Sequence, residues 1–274
     1  MTLAEPAPAV IVEPRKRLTL HFLHPAKWLP LVLMLAVLGG LWQWGASRMP
    51  YLLPPLGDIG QTLAQDAGYY LENALVTLRE AVGGLAIGTV VAFVLAVVVS
   101  EFTLARRAIM PVAVILNVTP LVAIAPALVV AFGFGAAPKL IVTGLICFFP
   151  VLINMSMGLR AVPLPVLQVY RTMHASRLET LWYIRVPSSL PYLFAALRIV
   201  FPLSVVGAVV AELSAAGSSK GLGTAISLAS SMNRLAAVYA SIAILAVLGS
   251  LLLLVVTLLE RRLLHWHETR AGTK

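Results

Sequence analysis

The residue types that most often carry out chemistry are sparse in this sequence. Its one cysteine, Cys147, lies within an apolar run, which excludes an intramolecular disulfide and a cysteine-based metal site. His265 and His267 form an H-x-H pair with only Glu268 beside them, too few ligands for a metal. No combination of a nucleophile, a histidine and an acidic residue is arranged for catalysis. We therefore expect the chain to be no enzyme and to hold no metal or cofactor.

A glycine-rich segment with a lysine, GSSKGLGT at residues 217–224, is the one candidate for phosphate binding. A P-loop follows G-x-x-x-x-G-K-[ST], because the lysine after the last glycine reaches the phosphates. Here Lys220 precedes Gly221. The segment is therefore expected not to bind nucleotide. It is either a docking edge for another protein or a flexible turn.

The composition is that of an integral membrane protein. Only 11% of the 274 residues are charged and 60% are hydrophobic, whereas soluble domains average about 25% charged residues. The 20 basic residues exceed the 11 acidic ones, but they are spread between the apolar runs instead of forming one patch. This distribution argues against a nucleic-acid partner and favours membrane topology as the cause of the charge excess.

Charge-free intervals locate the membrane spans. A helix crosses the bilayer core with about 20 apolar residues. Six intervals reach this length, the fifth interrupted only by Arg198: residues 28–47, 81–100, 108–138, 140–159, 187–211 and 235–259. The third contains Pro111, Pro120 and Pro126, so we expect a kinked or partly unwound crossing. The sequence predicts an all-α, polytopic membrane protein with six transmembrane helices.

The basic residues predict the orientation, because they are retained on the cytoplasmic side. Fourteen of the twenty fall on one side: Arg15, Lys16, Arg17, Lys27, Arg106, Arg107, Arg160, Arg171, Arg177, Arg185, Arg261, Arg262, Arg270 and Lys274. Five fall on the other: Arg48, Arg79, Lys139, Lys220 and Arg234. We therefore expect a multi-pass protein of the cell membrane with both termini in the cytoplasm.

The domain organisation follows from these spans. Residues 1–27 form a cytoplasmic tail and residues 28–48 a first transmembrane helix that is retained, since no A-x-A cleavage site follows it. Residues 49–74 form an external linker, with one short helix in GDIGQTLAQ. Residues 75–260 form a core of five transmembrane helices, which includes a cytoplasmic loop at 160–190. Residues 261–274 form a cytoplasmic tail.

The loop between the fourth and fifth spans is the most informative segment. Its sequence is RAVPLPVLQVYRTMHASRLETLWYIRVPSSLP at residues 160–191. A first helix is expected from about Pro165 to Met173. Ser176 and Glu179 have the spacing of a capping box, which starts a second helix that we expect to end at Pro187. The alternative is an ordered loop that only covers the ends of neighbouring spans.

These residues resemble the cytoplasmic coupling loop of binding-protein-dependent ABC importer permeases. The family pattern is E-A-A, three residues, G, nine residues, then I-x-L-P. Placing the glycine at His174 aligns Ile184 and Pro187 with the last element. The departures are Gln168, Val169, Tyr170, His174 and Val186. A histidine at the glycine position predicts a wider turn, because a positive φ costs it more.

The resemblance extends over residues 75–260 to the nitrate, sulfonate, taurine and bicarbonate branch of these permeases. It rests on four segments: TPLVAIAPALVVAFGFGAAPK (119–139), FFPVLINMSMGLRAVP (148–163), LPYLFAALRIVFPLSVVGAVVAEL (190–213) and GLGTAI (221–226). This resemblance implies a type I ABC importer permease. Such a chain pairs with a second permease chain, identical or a paralogue, docks on separate subunits that bind ATP and magnesium, and receives solute from an external binding protein.

The resemblance also implies a class of solute and a set of residues that contact the ATP-hydrolysing subunit. It implies a small anion such as a sulfonate, nitrate or bicarbonate, while related permeases carry a vitamin or pyrimidine precursor. An autonomous ion-coupled secondary transporter is the rival class, and the inverted repeats typical of it are not visible. The residues expected to contact the ATP-hydrolysing subunit are Gln168, Tyr170, Arg171, Met173, His174, Ala175, Ser176, Arg177, Glu179 and Pro187.

Polar residues at membrane depth are candidates for the translocation pathway, because such groups face a bundle interior or a water-filled cavity. They are Asn117, Thr119, Pro120, Asn154, Ser156, Arg198 and Glu212. The alternatives are hydrogen bonds within or between helices for the uncharged groups, snorkelling for Arg198 and a simple interfacial charge for Glu212.

Overall fold

The computed structural model describes residues 25–215 and 220–264, and within them the chain is helical with no strand. The helices are α1 (Pro25–Arg48), α2 (Leu56–Gln65), α3 (Ala67–Glu101), α4 (Thr103–Val118), α5 (Ala125–Phe132), α6 (Ala136–Gly158), α7 (Leu164–Thr172), α8 (Arg177–Thr180), α9 (Val186–Ser214), α10 (Leu222–Ser231) and α11 (Leu235–Leu263). A 3₁₀ turn, Leu121–Ile124, precedes α5. A π-helical turn, Leu181–Arg185, joins α8 to α9.

The chain divides into two units, residues 1–53 and 54–274. In the first unit, α1 is an apolar helix of 24 residues. The guanidinium of Arg48 lies 5.6 Å from the ring centre of Trp44, a cation–π contact of the kind found where a span meets the interface.

The second unit is built around α3, α6 and α9, which pack tightly because small residues line their contacts. A Cβ at Gly88 of α3 would lie 2.4 Å from the carbonyl oxygen of Gly144 on α6, and one at Gly84 would lie 2.4 Å from Cβ of Thr143. A Cβ at Gly207 of α9 would lie 3.1 Å from Cα of Thr143. Backbone contact at these positions brings the three helices together.

The apolar interior lies between the same three helices. Leu152 and Met155 of α6 and Val200 of α9 are completely buried there, together with Ala92 and Ala96 of α3. Many apolar side chains on the outside of α3, α9 and α11 are exposed, as expected of helices that face lipid instead of water.

The membrane spans agree with the predicted fold class. Among the described residues, five helical segments are long and apolar enough to cross a bilayer: Leu29–Arg48, Ala67–Glu101, Ala136–Gly158, Arg177–Ser214 and Leu235–Leu263. The pair Thr103–Val118 and Leu121–Phe132 is bent by 85° and supplies a sixth if it counts as one span.

The predicted kink in the third interval is confirmed, and it lies at Thr119 and Pro120. Thr119 is extended, with a ψ of 133°, because a residue before proline is pushed out of the helical region. Pro111 lies inside α4 without ending it. Of the three prolines, Pro120 is therefore the one at which the helix breaks.

The prediction that the second loop helix ends at Pro187 is wrong. The helical segment continues from Arg177 to Ser214, with Pro187 in the first turn of α9. The preceding turn is π-helical, and Val186 N–H donates to the carbonyl of Leu181, five residues back. The wider turn accommodates a proline, which has no N–H and would crowd a tighter helix.

Helix α3 begins earlier than the apolar interval suggested. Its 35 residues start at Ala67 and extend about 50 Å at the helical rise, well beyond one membrane thickness. The residues between the first two spans therefore contain α2, as predicted from GDIGQTLAQ, and also the polar start of α3.

Candidate coupling and translocation sites

The loop helices α7 and α8 are joined by a well-formed turn. His174 has a φ of 56°. Its N–H donates to the carbonyl of Arg171, and Ala175 N–H donates to that of Tyr170, both at 3.1 Å. This is the Schellman pattern of a helix C-terminus. The expectation of a wider turn was wrong, because His174 itself adopts the left-handed conformation in which glycine is favoured.

The predicted capping box at the start of α8 is confirmed. Glu179 N–H donates to Oγ of Ser176 at 3.2 Å, and Ser176 N–H donates to Oε2 of Glu179 at 2.7 Å. Two backbone donors that a helix start leaves unpaired are thus satisfied. The turn and the cap together give the α7–α8 pair one defined geometry.

The α7–α8 pair exposes apolar side chains that the described part of the chain does not cover. Met173 is 71% exposed, Leu178 68% and Trp182 58%, while Leu181 is buried. An exposed apolar patch of this kind marks an interaction surface. The apolar side chains in and after α8 are therefore divided, because Leu181 packs inward whereas Leu178 and Trp182 face outward.

An ion pair ties the loop to the end of α3. Nη1 of Arg185 lies 2.5 Å from Oε1 of Glu101. A cavity of about 410 Å³ lies beside this pair, between the end of α3 and the loop helices, and is lined in part by Arg171, Ala175 and Arg177. Because α8 also continues into α9, the loop is connected to two spans.

Three of the seven predicted pathway residues hydrogen-bond to a backbone carbonyl four residues earlier in the chain. Oγ1 of Thr119 donates to the carbonyl of Ile115 at 3.1 Å, Nδ2 of Asn154 to that of Pro150 at 2.8 Å, and Oγ of Ser156 to that of Leu152 at 2.7 Å. Ser156 is buried and Asn154 half-buried, while Pro120 and Asn117 are exposed. The structure does not bring these side chains into one cluster of mutual contacts.

Arg198 has a partner on another span. Its Nε lies 2.5 Å from Oε2 of Glu260 on α11, although about half of the arginine side chain is exposed. The pair joins α9 to α11. The sequence had instead suggested that this arginine snorkels to the interface or faces a water-filled cavity.

Glu212 lies in the interior at the end of α9, with no exposed surface. Oγ1 of Thr77 donates to its Oε1 at 2.7 Å, and Gly223 N–H donates to its Oε2 at 2.5 Å. The alternative interpretation from the sequence, a simple interfacial charge, placed this carboxyl at the surface. The structure instead makes it a link between α9, α3 and α10.

A second buried carboxyl, Glu80, forms an ion pair that the sequence analysis missed. Nζ of Lys139 donates to Oε1 of Glu80 at 2.7 Å, and the two side chains are 1% and 10% exposed. Nζ also lies 3.3 Å from the carbonyl of Lys220. Both charges had been read as markers of span ends outside the membrane. The available signal was a glutamate and a lysine that each directly precede an apolar interval, 81–100 and 140–159.

The described part of the glycine-rich segment, residues 220–224, is fixed by α3. Gly221 N–H donates to Oδ1 of Asn73 at 2.8 Å, and Leu222 N–H donates to Oγ1 of Thr77 at 2.9 Å. The ammonium of Lys220 pairs with Glu72. These contacts do not fit a flexible turn. Residues 217–219, and the pair His265 and His267, lie outside the described residues.

Comparison with known proteins identifies the family. Residues 84–265 match the family of inner membrane components of binding-protein-dependent transport systems. The chain belongs to this permease family. It is an integral membrane component of a transporter, and its relatives are transport proteins instead of enzymes.

The relatives of this permease are named for different solutes. The riboflavin transport system permease protein of Chloroflexus aurantiacus is 31% identical over 96% of this chain and 98% of its own length. The formylaminopyrimidine transport permease protein of Halalkalibacterium halodurans is 32% identical over 83% and 92%. The taurine transport system permease protein of Escherichia coli is 32% identical over 57% and 56%.

Proposed function

We propose that this permease forms the translocation pathway of an ATP-driven importer together with a second permease chain. In this proposal α7 and α8 dock on a separate ATP-hydrolysing subunit, and an external binding protein delivers the solute. The observation that carries the proposal is the geometry of the loop. It has a fixed turn, a capped helix and exposed apolar side chains, and it leads without interruption into a span.

The mechanism follows from these connections. A docked subunit that moves α8 also moves α9, because Arg177–Ser214 is one helical segment. It moves the end of α3 as well, through the pair of Arg185 and Glu101. ATP binding biases the inward-facing and outward-facing states only if the docking contacts differ between them. A rigid loop transmits that difference, whereas a flexible one would absorb it.

The test of docking is a bulky side chain in the loop turn. Ala175→Trp is expected to reduce co-purification of the ATP-hydrolysing subunit and the hydrolysis stimulated by the binding protein, while membrane insertion persists. Ala64→Trp, at an exposed position of α2, is the matched control and is expected to change neither. Normal association of Ala175→Trp, at normal permease levels, would place the docking surface elsewhere.

For the pathway we propose Asn117 and Asn154, the two amides at membrane depth that retain exposed surface. Asn117 is on α4, two residues before the helix break at Thr119, and Asn154 is on α6. Alanine at both positions is expected to change the transport rate or the solute preference. A double variant with unchanged rate and preference, at normal protein levels, would remove both residues from the pathway.

For the solute we propose a nitrogen heterocycle of the flavin or pyrimidine class. The relatives named for riboflavin and formylaminopyrimidine match over 98% and 92% of their lengths. Lys139 and Arg198, two basic side chains within the spans, are each paired with a glutamate, so neither is a free counter-ion for an anion. A small anion is the second candidate, supported by relatives named for taurine and sulfonates.

Calorimetry on the cognate external binding protein separates the two classes. Riboflavin and formylaminopyrimidine are the probes for the first class, and taurine, an aliphatic sulfonate and nitrate for the second. Saturable binding of a heterocycle alone is expected. Binding of an anion alone would overturn the proposed solute and leave the importer role intact.

A further inference from the structure

A cavity rich in arginine lies at the end of α3, beside the loop helices. Its volume is about 410 Å³, within the range of ligand-binding pockets. The lining includes Arg171 of α7, Arg177 of α8 and Arg185 of the π-helical turn, with Glu101 at the end of α3. Three guanidinium groups and one carboxylate give this lining a net positive charge. The cavity therefore favours an anion.

Two of these arginines have no anionic partner in the described part of the chain. Nη1 of Arg185 lies 2.5 Å from Oε1 of Glu101, whereas Arg171 and Arg177 form no ion pair there. The one acidic residue of the loop, Glu179, accepts a backbone N–H in the capping box of α8 and does not line the cavity. The lining thus contains two guanidinium groups whose charge is unpaired.

The two hydroxyl groups of the lining already donate elsewhere. Oγ1 of Thr180 donates to the carbonyl of Ser176 at 3.0 Å, and Oγ of Ser100 donates to the carbonyl of Val97 at 2.8 Å. The arginines are therefore the donors that remain for a ligand. A guanidinium presents its N–H groups as a planar fork that fits a phosphate or a carboxylate.

The position of the cavity along the spans indicates where such an anion comes from. Ser100 is the last residue of the charge-free interval 81–100, and Arg185 lies two residues before the interval that begins at residue 187. Lipid headgroups lie directly outside the hydrocarbon core. Phe102 and Leu104, which follow the end of α3, are 59% and 82% exposed. Basic and apolar side chains at this depth match the headgroup and the acyl chains of a lipid.

We propose that this cavity binds a phosphate group, and that an anionic phospholipid of the adjoining leaflet supplies it. The phosphate accepts from Arg171 and Arg177, and the acyl chains cover Phe102 and Leu104. Basic pockets between spans attract anionic headgroups in this way. The bound lipid links the loop helices to the end of α3, next to the pair of Arg185 and Glu101. This site goes beyond the importer role, and its failure would leave that role intact.

Native mass spectrometry of the purified full-length permease tests the proposal. We expect one phosphatidylglycerol to bind saturably, and phosphatidylcholine to bind more weakly because its headgroup has no net charge. In Arg171→Gln/Arg177→Gln the affinity for phosphatidylglycerol is expected to fall about tenfold for each arginine, the loss of a charged hydrogen bond. The matched control, Arg160→Gln/Arg261→Gln, removes two exposed arginines outside the cavity and is expected to retain the affinity.

Inorganic phosphate separates the two sources of a phosphate group. We expect that it does not displace the lipid at equal concentration, because it lacks acyl chains. Displacement by inorganic phosphate would overturn the lipid as the source and assign the cavity to free phosphate. Equal affinity of the wild type and Arg171→Gln/Arg177→Gln for phosphatidylglycerol would overturn the site itself.

Two further readouts use the same proteins. Phosphatidylglycerol is expected to raise the melting temperature of the wild type and of the control, and not that of Arg171→Gln/Arg177→Gln. The unfolding curve without lipid also shows whether each variant is folded. The lipid is expected to stay bound when the ATP-hydrolysing subunit is added. Its release would overturn the lipid assignment in favour of an acidic side chain of that subunit.

Discussion

Nζ of Lys139 lies 2.7 Å from Oε1 of Glu80, and this buried ion pair joins α6 to α3. A buried charge that loses its partner is strongly destabilising, by about 3–5 kcal/mol, whereas an exposed pair contributes about 0–1 kcal/mol. The strength of this contact therefore depends on burial and not on charge alone.

The first prediction compares two lysines. Lys139→Met is expected to lower the free energy of unfolding by about 3–5 kcal/mol, because Glu80 is left unpaired. Lys220→Met, which removes the exposed partner of Glu72, is expected to cost about 1 kcal/mol or less. Thermal and denaturant unfolding in detergent provide the measurement. Similar losses in the two variants would contradict the buried pair.

The second prediction concerns the contact between α3 and α6. Gly88→Ala is expected to destabilise the protein by about 1–3 kcal/mol, the range for overpacking, because its Cβ would lie 2.4 Å from the carbonyl oxygen of Gly144. Gly249→Ala on α11 has its nearest atom at 4.0 Å and is the matched control. It is expected to be neutral or slightly stabilising. A tolerated Gly88→Ala would mean that the helices lie further apart.

The third prediction concerns the cap of α8. Ser176→Ala is expected to cost about 1 kcal/mol, and to weaken the stimulated ATP hydrolysis less than Ala175→Trp does. Glu179→Gln is the control, because glutamine also forms a capping box. Hydrolysis by the assembled importer is the readout. If Glu179→Gln impairs it as much as Ser176→Ala, the cap is not the feature that matters.

The fourth prediction concerns orientation. In a Cys147→Ala background, a membrane-impermeant thiol reagent added to intact cells is expected to label Ser231→Cys and not Thr172→Cys. Both positions are exposed, so accessibility from each side of the membrane decides the result. The fourteen basic residues on the loop side motivate this expectation. The reverse labelling pattern would invert the proposed topology.

Local rules predicted much of the fold from the sequence. Apolar length predicted the spans, the three prolines of the third interval predicted its kink without locating it, and Ser176 with Glu179 predicted the capped helix. The errors arose where a neighbouring element changes the local outcome. The π-helical turn at Leu181–Arg185 carries the helix past Pro187, and a complete Schellman pattern stabilises the positive φ of His174.

The buried charges could not be located from the sequence for a different reason. A charged residue at the end of an apolar interval looks the same whether it faces water or a partner on another helix. Lys139, Glu80 and Glu212 come from three helices, and only packing shows that Lys139 pairs with Glu80 and that Glu212 is buried. Gly84 and Gly88 form a G-x-x-x-G pair that indicates close helix packing without naming the partner helix.

Reconstituted transport tests the central claim most directly. The permease, its cognate ATP-hydrolysing subunit and its external binding protein are placed in lipid vesicles, and uptake of the bound solute is measured. The proposal predicts uptake that requires ATP and both partners, and that Ala175→Trp reduces. Uptake by the permease alone, driven by an ion gradient without ATP, would contradict the proposal and favour an autonomous transporter.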